Sequence, residues 1–190
     1  MRQTILCTGG ARSGKSAMAE NLAKKLGGGV LYVATAAVCD EEMAERVRRH
    51  RAARPDCWKT WEGYCNFASL REEADYQSCA TVLLDCMGFM LNNIMYDMIE
   101  DWANISRSEA DRIEAAMTAE LSELFVMTKQ DQKNLILVTN EVGMGLVPAE
   151  RSSRVYRDIL GRANQAAAAE ADQVCLMVSG LPLMVKGGAV

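Results

Sequence analysis

Eight residues near the N-terminus, Gly9-Gly10-Ala11-Arg12-Ser13-Gly14-Lys15-Ser16, limit what this 190-residue chain can fold into more than any other stretch. They match G-x-x-x-x-G-K-[ST], the phosphate-binding P-loop, and each position has a physical reason. The glycines let successive backbone N–H groups curl round a β-phosphate. Lys15 is long enough to reach β- and γ-oxygens, the Ser16 hydroxyl suits Mg2+, and the N-terminus of a following helix favours an anion. A glycine-rich turn matching by chance would lack the flanking elements, and here they are present. Gln3 to Thr8 reads as a strand, and Ser16 to Leu26 carries Met18, Leu22 and Leu26 at helical spacing, with Gly27-Gly28-Gly29 as its stop.

A strand–loop–helix unit of this kind needs a sheet around it, and the rest of the chain supplies one. Val30 to Ala36 is a nearly continuous apolar run, which predicts a strand buried on both faces. A helix is predicted over Asp40 to Ala53, with Asp40 as cap, Glu41 and Glu42 in its first turn and Pro55 beyond its end. Trp58 to Trp61 reads as a weak strand, Phe67 to Ala74 as a short helix and Thr81 to Cys86 as a buried strand. Helices are predicted at 88–100 and 108–128, a strand at Leu135 to Thr139, a helix at Glu150 to Ala169 and a strand at Gln173 to Val178. Leu183 to Val185 reads as a short segment at the sheet edge. This alternation predicts an α/β fold, a single P-loop domain over residues 1–190 with a mostly parallel central sheet flanked by helices.

Lys and Arg number 21 against 25 Asp and Glu, a net charge of −4, which argues against nucleic acid as a partner. The longest uncharged run, Leu26 to Cys39, is shorter than the ~18 apolar residues of a membrane-spanning helix. Ile5-Leu6-Cys7 is too short for a secretory signal, so a cytoplasmic protein is expected. Seven cysteines without a Cys-x-x-Cys give neither a disulfide framework nor a zinc ribbon, and are expected to be reduced and mostly buried. The single histidine, His50, excludes any multi-histidine metal site.

Several residues are candidates for chemistry. Asp85 closes an apolar strand, where a Walker B acid would hold Mg2+, although an acid there also serves as an ordinary helix cap. Asn140-Glu141-Val142-Gly143-Met144-Gly145 follows the next strand and should emerge at the carboxyl edge of the sheet, with Glu141 either in a site or solvated. His50 lies among Arg46, Arg48, Arg49, Arg51 and Arg54, which is either a solvated basic face or a setting that disfavours imidazolium and keeps a nitrogen lone pair available. Arg151, Arg154 and Arg157 recur at three-residue spacing, followed by Arg162 and Asn164. They read as phosphate or subunit contacts, or as a solvated face paired with Glu150 and Asp158. Met90, Met95, Met98, Met117 and Met127 read as core.

Taken together, Thr8 to Ser16, Tyr32-Val-Ala-Thr35, Asp40 to Arg46, His50-Arg-Ala-Ala-Arg-Pro55, Trp58-Lys-Thr-Trp-Glu62, Val138 to Gly145 and Arg157 to Gln165 resemble one family. It is the bifunctional adenosylcobinamide kinase/adenosylcobinamide-phosphate guanylyltransferase family, and the resemblance runs nearly end to end. It implies a RecA-like domain, a homotrimer and two reactions of cobalamin biosynthesis. Adenosylcobinamide is phosphorylated by ATP or GTP, and GMP then passes from GTP, through a guanylyl-histidine, to adenosylcobinamide phosphate, giving adenosylcobinamide-GDP and pyrophosphate. By the same resemblance His50 is the guanylylated residue and Gly9 to Ser16 the phosphate loop, within which the motif reading puts Ser16, with Asp85, on Mg2+. Ala34, Thr35, Ala36, Arg51, Ala52, Ala53, Arg54, Glu62 and Asp85 are the remaining GTP contacts. Asp85 and Glu141 are both candidates for the base of the kinase step, and spacing does not choose between them. Arg49 stands where some relatives have a second histidine, and Asp85 where some have Glu. A P-loop kinase of another small metabolite, or a RecA-like ATPase, would share Lys15, Ser16 and Asp85 but give His50 no covalent role.

Overall fold

Strands that are apolar without interruption must be covered on both sides, and the computed structural model, which describes residues 2–37, 41, 45, 48 and 54–188, shows how this chain covers them. Seven strands, β1 (Thr4–Gly9), β2 (Val30–Ala34), β3 (Lys59–Glu62), β4 (Thr81–Asp85), β5 (Asn134–Asn140), β6 (Gln173–Val178) and β7 (Leu181–Lys186), form one sheet. Its order is β3-β2-β4-β5-β1-β6-β7. The first six are parallel, and β7 returns antiparallel to β6.

Successive strand residues point to opposite faces, and the core divides accordingly. Ile5, Cys7, Val30, Tyr32, Leu83, Ile136 and Val138 cluster with Ala19, Leu22 and Ala23 of helix α1 (Lys15–Leu26). Leu6, Leu31, Val33, Val82, Leu84, Leu135 and Leu137 form the larger cluster on the other face. That face is covered by α3 (Met87–Met98), α4 (Arg107–Gln130) and α5 (Arg151–Glu170). The predicted stripe Ile113, Met117, Leu121, Leu124 and Met127 is wholly buried on α4. Met90 and Met95 are buried as well, and Met98 is half-buried. Ser106 starts α4 with a capping box, its hydroxyl accepting from the Glu109 N–H while the Glu109 carboxylate accepts from the Ser106 N–H; such a cap contributes about 1 kcal/mol.

Two local expectations change. The helix predicted at Phe67 to Ala74 is a 3-10 helix (Phe67–Glu72) followed by a separate short α2 (Ala74–Ser78). The chain is left-handed at Asn66 and extended at Glu73, which breaks the helix. The Glu120 carboxylate of α4 accepts the Asn66 and Phe67 N–H groups, so tertiary structure starts this element. The edge segment is longer than Leu183 to Val185, because Ser179 and Gly180, both at positive φ, close a tight hairpin between β6 and β7.

Within the predicted 40–53 helix, Glu41, Glu45 and Arg48 are helical, and Arg48 pairs with Glu45 at 2.7 Å. The rest of that stretch, Asp40, Glu42 and His50 included, lies outside the described residues. Of the cysteines, Cys7, Cys79, Cys86 and Cys175 are buried, Cys57 and Cys65 are exposed, and all six are free thiols; Cys39 lies outside the described residues. No described helix is long and apolar enough to cross a membrane.

Candidate functional site

The P-loop occupies the carboxyl end of β1, between Asn140 of β5 and Met177 of β6, both of which pair with Gly9. Only glycine fits at position 9. A Cβ there would lie 2.6 Å from the Met177 carbonyl oxygen and 2.6 Å from Ser13 Oγ. Arg12 (φ 56°) and Gly14 (φ 94°) take the left-handed conformation, and this alternation of handedness makes the concave array of N–H groups that receives anions. Gly10 accepts from the Ser13 N–H at 3.3 Å, and the Gly180 N–H donates to the Ser13 carbonyl at 3.0 Å, so the β6–β7 turn braces the loop. Lys15, the first residue of α1, is buried and donates from Nζ to the Gly10 carbonyl at 3.1 Å. Ser16 is half-buried in the same turn. Ser13 Oγ is buried with no hydrogen-bond partner among the described residues, an arrangement that a bound phosphate oxygen would satisfy.

Asp85 ends β4, and β5 lies between β4 and β1. Asp85 is level with Val138 and hence with Cys7 of β1, two strand spacings or roughly 10 Å across the sheet, and Gly9 lies two residues further along β1. Helix α1 packs on β1, β5 and β4. The Tyr32 hydroxyl donates to Asp85 Oδ2 at 2.8 Å, and the Asp85–Cys86 peptide is cis. Thr35 is buried; its hydroxyl accepts from the Cys86 N–H and donates to the Cys86 carbonyl, both at 2.7 Å, while Asn93 Nδ2 donates to the Thr35 carbonyl. Thr35 therefore clamps β4 to β2 with its side chain, and Ala34 and Ala36, both half-buried, flank it.

Arg54 is placed on Tyr32. Its guanidinium carbon lies 3.2 Å from the ring centroid, its Nε is 3.9 Å from Glu20 Oε1 on α1, and its side chain is only 9% exposed. Arg54, Tyr32 and Asp85 thus form a chain of contacts from just beyond the His50 segment to the end of β4. Burial first, then the Asp85 charge, pushes the Tyr32 phenol far above its ordinary value, so it stays a donor. Tyr32→Phe is expected to keep the ring under Arg54 but free the Asp85 carboxylate, lowering nucleotide-dependent turnover by roughly tenfold. Its thermal midpoint should fall by only a few degrees; turnover equal to the parent protein's would show that the hydrogen bond has no part in the site.

Glu141 follows β5, and its N–H donates to the Gly9 carbonyl at 3.0 Å, so it adjoins the loop; its carboxylate accepts from the Gly143 N–H. Glu62 is exposed at the end of β3, four strands from β1 and hence roughly 19 Å away across the sheet edge. His50, Arg51, Ala52 and Ala53 lie outside the described residues.

The arginines of α5 have partners that the sequence did not reveal. Arg151 donates to the Ile105 carbonyl, Arg154 to the carbonyls of Pro148 and Ala149, and Arg157 to that of Leu146 at 3.2 Å. They hold main-chain oxygens rather than Glu150 or Asp158. Arg162 pairs with Glu114 of α4, with Nη2 2.8 Å from Oε2. Asn164 donates to the Asn140 carbonyl and accepts from the Thr139 hydroxyl, fixing the end of β5.

Tyr32, quoted only as the first residue of Tyr32-Val-Ala-Thr35, and Asn93 were given no role from the sequence. Periodicity reads Tyr32 as core, and its diagonal approach to Asp85 becomes visible only once Ala34 is paired with Asp85. The buried thiols Cys7 and Cys86 are poor candidates for a nucleophile. Burial above all, with Cys175 and Asp85 adding to it, pushes Cys7 up to about 12, and burial with Asp85 pushes Cys86 up to about 11.

Residues 5–185 match the family described as CobU, cobinamide kinase / cobinamide phosphate guanyltransferase. The chain belongs to that family. It is 42% identical over 182 residues to the bifunctional adenosylcobalamin biosynthesis protein CobU of Escherichia coli (strain K12), covering 96% of this chain and 99% of that protein. The protein of the same name from Salmonella typhimurium is 40% identical over 189 residues, covering 96% and 99%. The bifunctional adenosylcobalamin biosynthesis protein CobP of Pseudomonas aeruginosa is 39% identical over 188 residues, covering 98% of each chain.

Proposed function

We propose that one P-loop domain, residues 1–190, performs both transfers of the family at a single phosphate site. The chain phosphorylates adenosylcobinamide with a nucleoside triphosphate, then transfers GMP from GTP to the phosphate so formed, in cobalamin biosynthesis. The observation that carries a shared site is that the sequence has one G-x-x-x-x-G-K-S, braced on both sides by β5 and β6.

In the kinase step the cobinamide hydroxyl attacks the γ-phosphorus and the bond to the β-phosphate oxygen breaks. Lys15 and the loop N–H groups neutralise charge on the transferring group. Glu141, beside Gly9, and Asp85 are the carboxylates proposed to accept the hydroxyl proton. In the second reaction a neutral His50 nitrogen attacks the α-phosphorus of GTP and expels pyrophosphate, which the same loop holds. The cobinamide phosphate oxygen then attacks that phosphorus, the N–P bond breaks, and the imidazole is restored as adenosylcobinamide-GDP forms. With the phosphates at β1, the nucleoside would extend along the sheet edge toward Glu62, past Ala34, Thr35, Ala36 and Arg54, and Arg51, Ala52 and Ala53 belong to the same proposed set of GTP contacts.

Ser16 and Asp85 would hold Mg2+. Tyr32 takes one oxygen of the Asp85 carboxylate, and no group of three His, Cys, Asp or Glu among the described residues could hold a metal alone. That sparse set suits an ion which keeps most of its coordination for phosphates and water, and which supplies charge neutralisation when bound. A homotrimer belongs to the same proposal and would cover the exposed apolar residues Leu181, Leu183 and Val185 of β7. A cytoplasmic setting fits the free thiols.

GTP labelled at the α-phosphate tests the reading. Incubated with enzyme alone it should leave label on the protein after denaturing electrophoresis. Label at the γ-phosphate should move to adenosylcobinamide. Absence of both transfers from a folded preparation would overturn the proposal.

A further inference from the structure

The loop from Glu141 to Glu150 leaves the phosphate site carrying apolar side chains into solvent. Val142 is 36% exposed, Met144 80%, Leu146 97% and Val147 69%. Single exposed apolar residues need no explanation, but four within six positions make a patch of the kind that marks a binding surface. The patch starts at the P-loop, because the Glu141 N–H is bonded to the Gly9 carbonyl. The six steps from Glu141 to Val147 span at most roughly 20 Å, so the patch begins at the loop and lies within that reach of it.

This loop is also held. Arg154 and Arg157 bond the carbonyls of Leu146, Pro148 and Ala149, while Arg151 ties the start of α5 to Ile105. Loops ordinarily present polar residues and satisfy their carbonyls with water. Here guanidinium groups take the carbonyls from one side while the apolar side chains remain outward, which is the arrangement of a preformed surface.

We propose that Val142, Met144, Leu146 and Val147 form the surface on which the corrin macrocycle of cobinamide rests, its aminopropanol arm reaching the phosphate site. The inference rests on the family activity proposed above and adds the place of the acceptor. Both transfers happen at the end of one flexible arm, so the macrocycle has to lie within an arm's length of the P-loop. A broad ring system rimmed with methyl groups and amides needs an apolar platform with hydrogen-bonding groups at its margin. This loop brings such a platform to the edge of the phosphate site.

The test is the double variant Met144→Ser/Leu146→Ser, with Met144→Ala as a milder companion. Adenosylcobinamide binding is read by equilibrium dialysis using the absorbance of the corrin. KM for adenosylcobinamide should rise about tenfold or more in the double variant with kcat little changed, and dialysis should show the same weakening. Guanylylation of the enzyme by GTP alone, in which no corrinoid takes part, is the internal reference for folding and nucleotide binding and should proceed at the parent rate. An unchanged KM overturns the proposal. So does a rise in KM that accompanies loss of assembled mass in light scattering, which would assign the loop to contact between copies of the chain. Failure of the parent protein to phosphorylate adenosylcobinamide would instead remove the activity on which the inference rests.

Discussion

His50→Ala is expected to abolish the covalent GMP–enzyme adduct while leaving most of the phosphorylation of adenosylcobinamide. The two reactions need different things from the protein. Kinase transfer has the substrate hydroxyl as its nucleophile, so it requires positioning and charge neutralisation but no protein nucleophile. Guanylyl transfer through an intermediate requires a side chain with a lone pair at neutral pH. His50 is the only imidazole in the sequence. The buried thiols Cys7 and Cys86 are pushed up to about 12 and about 11, so they remain protonated at pH 7. A lysine adduct would have similar acid lability, and the decisive measurement is therefore the variant. Labelled GMP retained on His50→Ala after denaturation would move the nucleophile elsewhere. If adduct and kinase activity disappear together in a folded protein, His50 has a binding role and the covalent assignment is wrong.

Much of the framework was legible because strong local signals agreed with the tertiary structure. Gln173 to Val178 was delimited residue for residue, and the stripe from Ile113 to Met127 gave the buried face of α4. Those segments are long and strictly periodic. The 3-10 break at Phe67–Glu72 was not legible because its start is set by Glu120, more than fifty residues away. Strand order was hidden for the same reason. Nothing in Leu135 to Thr139 says that β5 separates β1 from β4, yet that insertion puts Glu141 beside Gly9 and Asp85 two strands off. Arg151, Arg154 and Arg157 show a further limit. Their spacing reveals one helix face but not that carbonyls of a returning loop meet it. Tyr32 reads as a core residue and is one, while its hydroxyl also holds Asp85. A buried side chain with a polar end serves both purposes, and periodicity reports only the first.

Lys15→Ala should depress phosphorylation of adenosylcobinamide and guanylylation of the enzyme together, each by roughly 10²-fold or more. Both reactions develop charge on oxygens that the loop would cradle. In one the transferred group is the γ-phosphoryl, and in the other the departing group is pyrophosphate. A cation fixed at the first turn of α1 serves either, and Lys15 stands there with its ammonium on the Gly10 carbonyl. That hydrogen bond would be exchanged for phosphate oxygens as a nucleotide enters, at small net cost, since one acceptor replaces another. The loop backbone does not depend on the lysine. Ser13 is bonded through its N–H to Gly10 and through its carbonyl to Gly180, and Gly9 is paired on both sides. Thermal stability of Lys15→Ala should therefore stay close to the parent value, so that lost activity reports lost charge. Lys15→Met separates the charge from the length of the side chain and should lose both activities alike. Guanylylation at the parent rate in either variant, with the kinase step impaired, would mean that GTP delivers GMP from a second phosphate site. The single P-loop would then serve the kinase alone.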